Sequence, residues 1–432
     1  MLKAQTEPIT YTILKGAFTM SDVKQAALAL HKEHQGKIEV VSKVPLAHAE
    51  DLTLAYSPGV AEPCLAIKDE PDAIYDYTAK GNMVAVVTNG TAVLGLDNIG
   101  AAAGLPVMEG KAILFKGFAG VDAFPICLNT EDPAEVVRAV ELLAPGFGGI
   151  NLEDIKAPQC FDIERELKKK LDIPVFHDDQ HGTAIVVVSA LINAFKLTGK
   201  TFNDAKFVVN GAGAAGQAIT RLIASMGATN IILCDTHGAI YSGRPDGMNP
   251  YKDDIATITN PQHEAGSLAD VMRGADVFIG VSKAGCVTQD MVRSMAADPV
   301  LMAMANPTPE IMPDLAKAAG AKVVGTGRSD YPNQVNNLLA FPGLFRGALD
   351  VRARDINDAM CIAAAHALAD LVPESELDAD HVITSPFNPD VAPTVAAAVA
   401  QAALDTGVAR LTNVTPEQVA QHTRDLVAKQ KR

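Results

Sequence analysis

Positive charge is scarce in this chain. Its 36 lysines and arginines face 51 aspartates and glutamates, a net charge of −15 over 432 residues. That deficit argues against a nucleic-acid or anionic-membrane partner. A small anionic substrate would need a local cation, either a metal or a placed lysine. Paired cysteines are missing too. The six cysteines (64, 127, 160, 234, 286 and 361) show no C-x-x-C spacing, which argues against a structural zinc or a disulfide framework and fits a reducing cytoplasm. The longest apolar run, residues 184–194, is too short to span a bilayer and contains Ser189 and Asn193. No continuous apolar segment precedes a small-residue cleavage site at the N-terminus, so no signal peptide is expected. Met20 stands as an alternative start, which leaves residues 1–19 as an expected disordered extension. Repeats and low-complexity blocks are absent as well.

What is present is the composition of a globular protein, 48% apolar and 20% charged, on a chain too long for one ordinary core. Two stretches organise it. Gly149-Ile150-Asn151-Leu152 ends in Glu153 and Asp154, and Ile173-Pro174-Val175-Phe176 ends in His177, Asp178 and Asp179. Short apolar runs of this kind read as buried parallel strands, and ligands collect beyond the carboxyl ends of such strands. Two neighbouring strands would bring Glu153, Asp154 and Asp179 to one point. Three gathered carboxylates repel one another unless a cation joins them, and an all-oxygen set favours Mg²⁺ or Mn²⁺. The alternative is that these acids are helix N-caps.

Elsewhere in the first half, residues 21–35 read as a helix and residues 36–46 as a short strand and turn. Tyr56 precedes a Pro58-Gly59 turn that would fix it, although such a tyrosine is more often a packing residue. Residues 83–88 and 92–96 flank Asn89-Gly90 and read as a β-hairpin. Lys111, after a glycine and before the apolar residues 112–115, is placed for partial burial. Burial would lower its pKa towards that of a base; a solvated surface lysine is the bland alternative. Further segments are a strand at 124–128 and helices at 132–143, 161–171 and 182–197.

After a linker-like TGKTFNDAK stretch, Lys206-Phe207-Val208-Val209-Asn210 opens into Gly211-Ala212-Gly213-Ala214-Ala215-Gly216. The G-x-G-x-x-G spacing between a strand and a helix, with Asp235 about twenty residues on, predicts a dinucleotide site. Glycines admit the pyrophosphate, the helix N-terminus offers N–H donors, and the acid takes the ribose hydroxyls. The carboxylate of Asp235 would also repel a 2′-phosphate, and Thr236-His237-Gly238 supply no offsetting arginine or lysine. NAD⁺ is therefore the expected preference over NADP⁺, with Arg244 close enough in sequence to fold back and reverse it. Strands near 275–281, 300–305 and 322–324 end in loops carrying Asn306, Asn336 and Asn337. These are neutral donors suited to a nicotinamide amide or a substrate carboxylate, though loop asparagines are mostly turn formers. Beyond residue 350 the chain is alanine-rich and helical.

The stretches AYSPGVAEPC, PVMEGKAILF, INLEDI, VFHDDQHGTA, NGAGAAG, ANPTPEI and GRSDYPNQVNNLLAFPG, in this order, resemble the malic enzyme family in its short bacterial form, over about residues 20–405. The resemblance implies an α/β protein. An N-terminal metal-binding catalytic domain (20–198) would precede a doubly wound, Rossmann-like NAD(P)-binding domain (199–345) and a C-terminal helical segment (346–432). It implies oxidative decarboxylation of (S)-malate to pyruvate and CO₂ with NAD(P)⁺ and Mg²⁺ or Mn²⁺, in a cytoplasmic homodimer or higher homo-oligomer. By position, Glu153, Asp154 and Asp179 take the metal places and Lys111 and Tyr56 the acid–base places, with Asp178 beside Lys111. Gly211, Gly213, Ala214, Ala215, Gly216, Asp235 and Asn306 fall at the cofactor, and Asn306, Asn336 and Asn337 at the substrate. A malolactic-type decarboxylation with bound NAD and no net redox change is the alternative. Three positions depart from the family pattern. Asn89 replaces a common aspartate, Asp97 replaces a glycine, and Ala92 stands where larger relatives carry a substrate arginine.

Overall fold

The computed structural model describes residues 20–93 and 95–430, so the expected extension at 1–19 lies outside the described residues. Met20–His34 is a helix. The rest of the described chain is built on two mainly parallel sheets.

The first sheet has the order β2-β1-β3-β4. Its strands are β1 (Met83–Thr88), β2 (Asp122–Cys127), β3 (Gly149–Leu152) and β4 (Val175–His177). All its pairings are parallel. β1, β3 and β4 are buried almost throughout, as expected of strands covered on both faces by crossover helices. The chain moves from β1 to β2 on one side and then returns to β3 on the other. A crevice therefore opens between the carboxyl ends of β1 and β3.

The second sheet has the order β10-β9-β8-β5-β6-β7. It comprises β5 (Lys206–Asn210), β6 (Asn230–Asp235), the short antiparallel β7 (Gly238–Ala239), β8 (Val277–Gly280), β9 (Val300–Ala303) and β10 (Val323–Thr326). Here the order reverses at β5, which pairs with β6 on one side and β8 on the other. The glycine-rich turn leaves β5 at that switch point.

The helix Asp178–Thr198 joins the two sheets, buried along most of its length. It packs on the glycine-rich helix Ala214–Ser225, and on Asp358–Ala369 from the C-terminal region. At 21 residues it is long and apolar enough to cross a bilayer, longer than residues 184–194 alone suggest. Its burial identifies it as a core helix of this protein. The C-terminal helices Phe341–Asp350, Val391–Asp405 and Pro416–Gln430 return to the helix Ala101–Ala119 of the first sheet. A single apolar cluster runs from Val84 and Phe115 through Ile185 and Phe207 to Phe345 and Val395.

Two sequence expectations fail. The described residues of this stretch (92, 93, 95 and 96) do not pair as the second half of a hairpin. Both edges of β1 are already taken, by β2 and β3. The Asn89-Gly90 turn instead feeds a closed loop in which the Gly90 carbonyl accepts from the Ile99 and Gly100 amides, and the Ala92 amide donates to the Asp154 carbonyl. Gly90 is required there, because a Cβ would lie 2.3 Å from Gly100. Residues 36–46 likewise form no strand.

Candidate functional site

The helix Ala101–Ala119 buries Met108, Lys111, Ala112 and Phe115 along one stripe, the i, i+3, i+4 spacing of a core-facing surface. Lys111 is therefore a charged residue on a core stripe rather than a half-solvated one in a loop. Its Nζ donates to Asp178 Oδ2 at 2.7 Å and lies 2.9 Å from Glu153 Oε1. It also sits 4.4 Å above the Phe341 ring, part of an edge-to-face group with Phe115, Phe345 and Phe176. Burial alone would push this lysine's pKa down, but the carboxylates of Asp178, Glu153 and Asp179 outweigh it and hold the pKa above the ordinary lysine range. The expected lowering is corrected by these partners, which the local sequence did not disclose.

The carboxylates come from the ends of β3 and β4, as the apolar runs predicted. Glu153, Asp154 and Asp179 bring ligand oxygens within 4.8 Å of one another. Asp178 and Asp179 also open the first turn of their helix, after His177 at the N-cap. Helix-start acids and clustered carboxylates thus prove compatible. Asp154 adopts φ +53°, and its amide donates to Asp179 Oδ2 at 2.8 Å, tying the two strand ends together. Burial drives Glu153 up to about 7 and Asp178 up to about 6, each opposed by Lys111. Asp179 rises for the same reason, although its side chain is 34% exposed. Four carboxylates around one ammonium leave a local excess of negative charge, and these oxygens fit a hard divalent cation.

Asn337 Nδ2 donates to Asp178 Oδ2 at 2.6 Å, so this asparagine joins the cluster across 159 residues of chain. Asn336 does not face the same way. Its Oδ1 accepts from the Leu338 amide and caps the short helix Asn337–Leu339. Asn306 is exposed at the end of β9, where its carbonyl lies 3.3 Å from where a Cβ on Gly95 would sit. Tyr56 stands apart at 67% exposure, at the C-cap of the helix Ala49–Ala55. Asp97 takes φ +59°, the left-handed conformation that a glycine favours and an aspartate tolerates.

At the glycine-rich turn each glycine has a distinct part. A Cβ on Gly211 would lie 2.5 Å from the Val281 carbonyl, and one on Gly216 would lie 1.7 Å from the Gly211 carbonyl, so both are needed for close packing. A Cβ on Gly213 would meet nothing within 4 Å. That open side, at the N-cap of the helix begun by Ala214 and Ala215, fits a pyrophosphate. Ala214 packs against the core cluster that holds Ile155 and Cys160, which sets the turn beside the carboxylate strand ends. Asp235 ends β6, but both of its oxygens are held by cations: Arg244 donates at 2.9 and 2.5 Å, and Lys252 at 2.7 Å.

Several contributing residues escaped sequence reasoning. Asn151 Nδ2 donates to Glu153 Oε2 at 2.9 Å. Buried Glu310 accepts from the Ser282 and Ala305 amides, joining the loops after β8 and β9. Gly182 is forced by its neighbour, since a Cβ there would fall 1.9 Å from Asp178 Oδ1. Glu310 and Gly182 lie inside ANPTPEI and VFHDDQHGTA, so their signal was present but carried no periodicity to read.

Comparison with known proteins agrees with this arrangement. Residues 35–168 match the family described as malic enzyme, N-terminal domain, and residues 180–404 match malic enzyme, NAD binding domain. The chain is 64% identical over 404 residues to the bifunctional malic/malolactic enzyme of Bacillus subtilis, covering 94% of this chain and 98% of that protein. It is 55% identical to the NAD-dependent malic enzyme of Geobacillus stearothermophilus, covering 88% and 79%. Against the NADP-dependent malic enzyme of Rhizobium meliloti it is 54% identical, covering 89% of this chain but only 53% of that longer protein. Among solved structures, the malic enzyme of Pyrococcus horikoshii superposes with a TM-score of 0.92 at 47% identity, over 95% of this chain and 96% of its own.

Proposed function

Because the chain belongs to the malic enzyme family, we propose that it converts (S)-malate and NAD(P)⁺ to pyruvate, CO₂ and NAD(P)H with a divalent metal. The observation that carries this reading is Lys111, buried against Asp178 and Glu153 beside the three-carboxylate cluster. Mg²⁺ or Mn²⁺ held by Glu153, Asp154 and Asp179 would supply Lewis acidity for the charge that develops on the substrate oxygens. A nicotinamide cofactor held at the glycine-rich turn would supply the hydride acceptor for C2. Lys111 takes the C2 hydroxyl proton, oriented by Asp178, which Asn337 holds in turn. Glu153 is shared between the lysine and the metal set. A cation held there would draw on the Glu153 charge that now faces Lys111 and so would favour the neutral amine that a base requires.

Tyr56 supplies the proton to C3 after CO₂ departs. The segment that bears it exposes Val44, Leu46, Leu52, Leu54, Val60 and Leu65, an apolar series suited to burial on another copy. We propose a cytoplasmic homodimer in which this segment seats on the partner and delivers Tyr56 to the partner's lysine. A second reading, malolactic conversion with cofactor retained, is favoured by the Bacillus subtilis relative, which is named for both activities.

Asp179→Ala tests the main reading. Malate-dependent pyruvate formation with Mn²⁺ should fall at least about a hundredfold, the scale of losing one electrostatic stabiliser of a transition state. NAD⁺ binding, measured by calorimetry, should stay within a few-fold. Activity near wild type would remove Asp179 from the ligand set. Lactate formed without free NADH would favour the malolactic reading.

A further inference from the structure

A buried carboxylate lies where the carboxyl ends of β8 and β9 meet. Glu310 is fully buried. Its Oε1 accepts from the Ser282 amide at 2.8 Å and, at 3.5 Å, from the Ser282 hydroxyl; its Oε2 accepts from the Ala305 amide at 3.0 Å. Both oxygens accept and neither donates, the pattern of an ionised carboxylate. Among the described residues no lysine, arginine or histidine pairs with it. Lys283, next to Ser282 in the loop, is exposed.

The strand ends are shaped around this group. Gly280 closes β8, and a Cβ there would lie 2.4 Å from Glu310 Cδ. The two loops are also joined through their backbones, the Gly285 amide donating to the Pro309 carbonyl and the Val287 amide to the Glu310 carbonyl, each at 3.0 Å. Asn210, at the end of β5, donates to Ser282 Oγ at 2.7 Å and ties the junction to the strand that opens the glycine-rich turn. Joining loops requires acceptors, which uncharged groups also supply. A full charge taken out of water without a counter-ion is costly, so the negative charge of Glu310 asks for a positive partner that arrives with a ligand.

Asp235 ends β6 on one side of β5, and β8 and β9 lie on the other. A dinucleotide whose pyrophosphate rests at the switch point beside Gly213 sends its adenosine toward β6 and its nicotinamide toward β8 and β9. The nicotinamide ring is cationic when oxidised and neutral when reduced. We infer that Glu310 sets a preference for the redox form of the cofactor, its buried charge favouring the cationic ring of NAD(P)⁺ over the neutral ring of NAD(P)H. The inference rests on the dinucleotide reading above and deepens it. A buried charge is screened much less than an exposed one, so it acts on the ring without touching it. Such a bias favours exchange of reduced for oxidised cofactor, which net oxidation of malate requires and a malolactic cycle does not.

Binding of NAD⁺, NADH and ADP-ribose, each measured by calorimetry on the intact protein without malate or metal, tests this apart from catalysis. The wild type should bind NAD⁺ at least as tightly as NADH. Glu310→Gln keeps the size of the side chain and one acceptor and removes the charge. It should weaken NAD⁺ about tenfold relative to NADH, the scale of a partly desolvated charge interaction. ADP-ribose, which lacks the ring, should follow NADH. Equal losses for all three ligands would make Glu310 a structural joint only and overturn the inference. Wild-type protein that binds NADH about tenfold tighter than NAD⁺ overturns it too, which decides the matter should Glu310→Gln fail to fold. Binding of none of the three overturns the dinucleotide site with it, whereas a protein that shows the expected preference and fails to turn over malate leaves this inference standing and removes the proposed activity.

Discussion

Gly182 shows how a single position can serve the site without touching substrate. It lies four residues after Asp178 in the same helix, so the two share a face. The Asp178 carboxylate folds back over the space that a side chain would occupy. In an ordinary helix interior, glycine to alanine stabilises by up to about 1 kcal/mol. Here the added methyl falls 1.9 Å from Asp178 Oδ1, and forced overpacking of this kind costs about 1–3 kcal/mol. Gly182→Ala should therefore lower thermal stability and, by moving Asp178 off Lys111 and Asn337, cut kcat/KM for malate by more than tenfold, or about 1.4 kcal/mol. Denaturation and steady-state kinetics check both. A stabilised variant with unchanged kcat/KM would remove Asp178 from its positioning role. The sequence showed which residues were charged and which glycines flanked them. The resemblance set Asp178 beside Lys111, but residue patterns alone gave no sign that this contact, made across 67 residues of chain, would reverse the expected pKa direction.

At the scale of elements, the short apolar runs ending in acids were legible because parallel strands buried on both faces need nothing but apolar residues. β3, β4, β5, β6, β8 and β9 all fall where such runs stand. The Asn89-Gly90 hairpin was misread because turn chemistry is local whereas the availability of a strand edge is a property of the whole sheet. The engagement of Asp235 was illegible for a similar reason: the loop after β7 folds Arg244 and Lys252 onto its carboxylate from nine and 17 residues away. The converging ends of β3 and β4 also set a pH dependence. Burial holds Glu153 up to about 7 and Asp178 up to about 6, above their unfolded values of about 4. A folded pKa above the unfolded one contributes stability that is full below the unfolded value and lost as pH rises through the folded value. Stability of the metal-free protein should thus decline between about pH 4 and pH 7 on account of these groups. A divalent cation binds the deprotonated cluster, so the rise in Tm on adding Mn²⁺ after EDTA treatment should be larger at pH 8 than at pH 5. An equal or smaller rise at pH 8 would mean that the cation binds elsewhere.

For the whole molecule, the contrast is between a deeply buried centre and a segment with no core of its own. The helices Ala49–Ala55 and Ala61–Asp69 bury no residue, while Leu52, Leu54, Tyr56 and Leu65 are each at least half exposed. An apolar series of this kind marks an interaction surface. A twofold dimer would cover it on both copies at once, since such an interface presents the same patch from each subunit. If each segment serves the partner's site, the two halves of the proposed acid–base pair come from different chains. Lys111→Ala and Tyr56→Phe homodimers should each be inactive for the full reaction. After mixing under conditions that exchange subunits, half of the dimers are hybrid. Each hybrid then holds one site with both residues intact, so activity should return to about a quarter of wild type. Were Tyr56 to act within its own subunit, every site in a hybrid would lack one residue and mixing would restore nothing. Sedimentation of Leu54→Asp checks the interface separately: a charge buried there without a partner should shift the protein toward monomer, and an unchanged dimer would place the contact on another face.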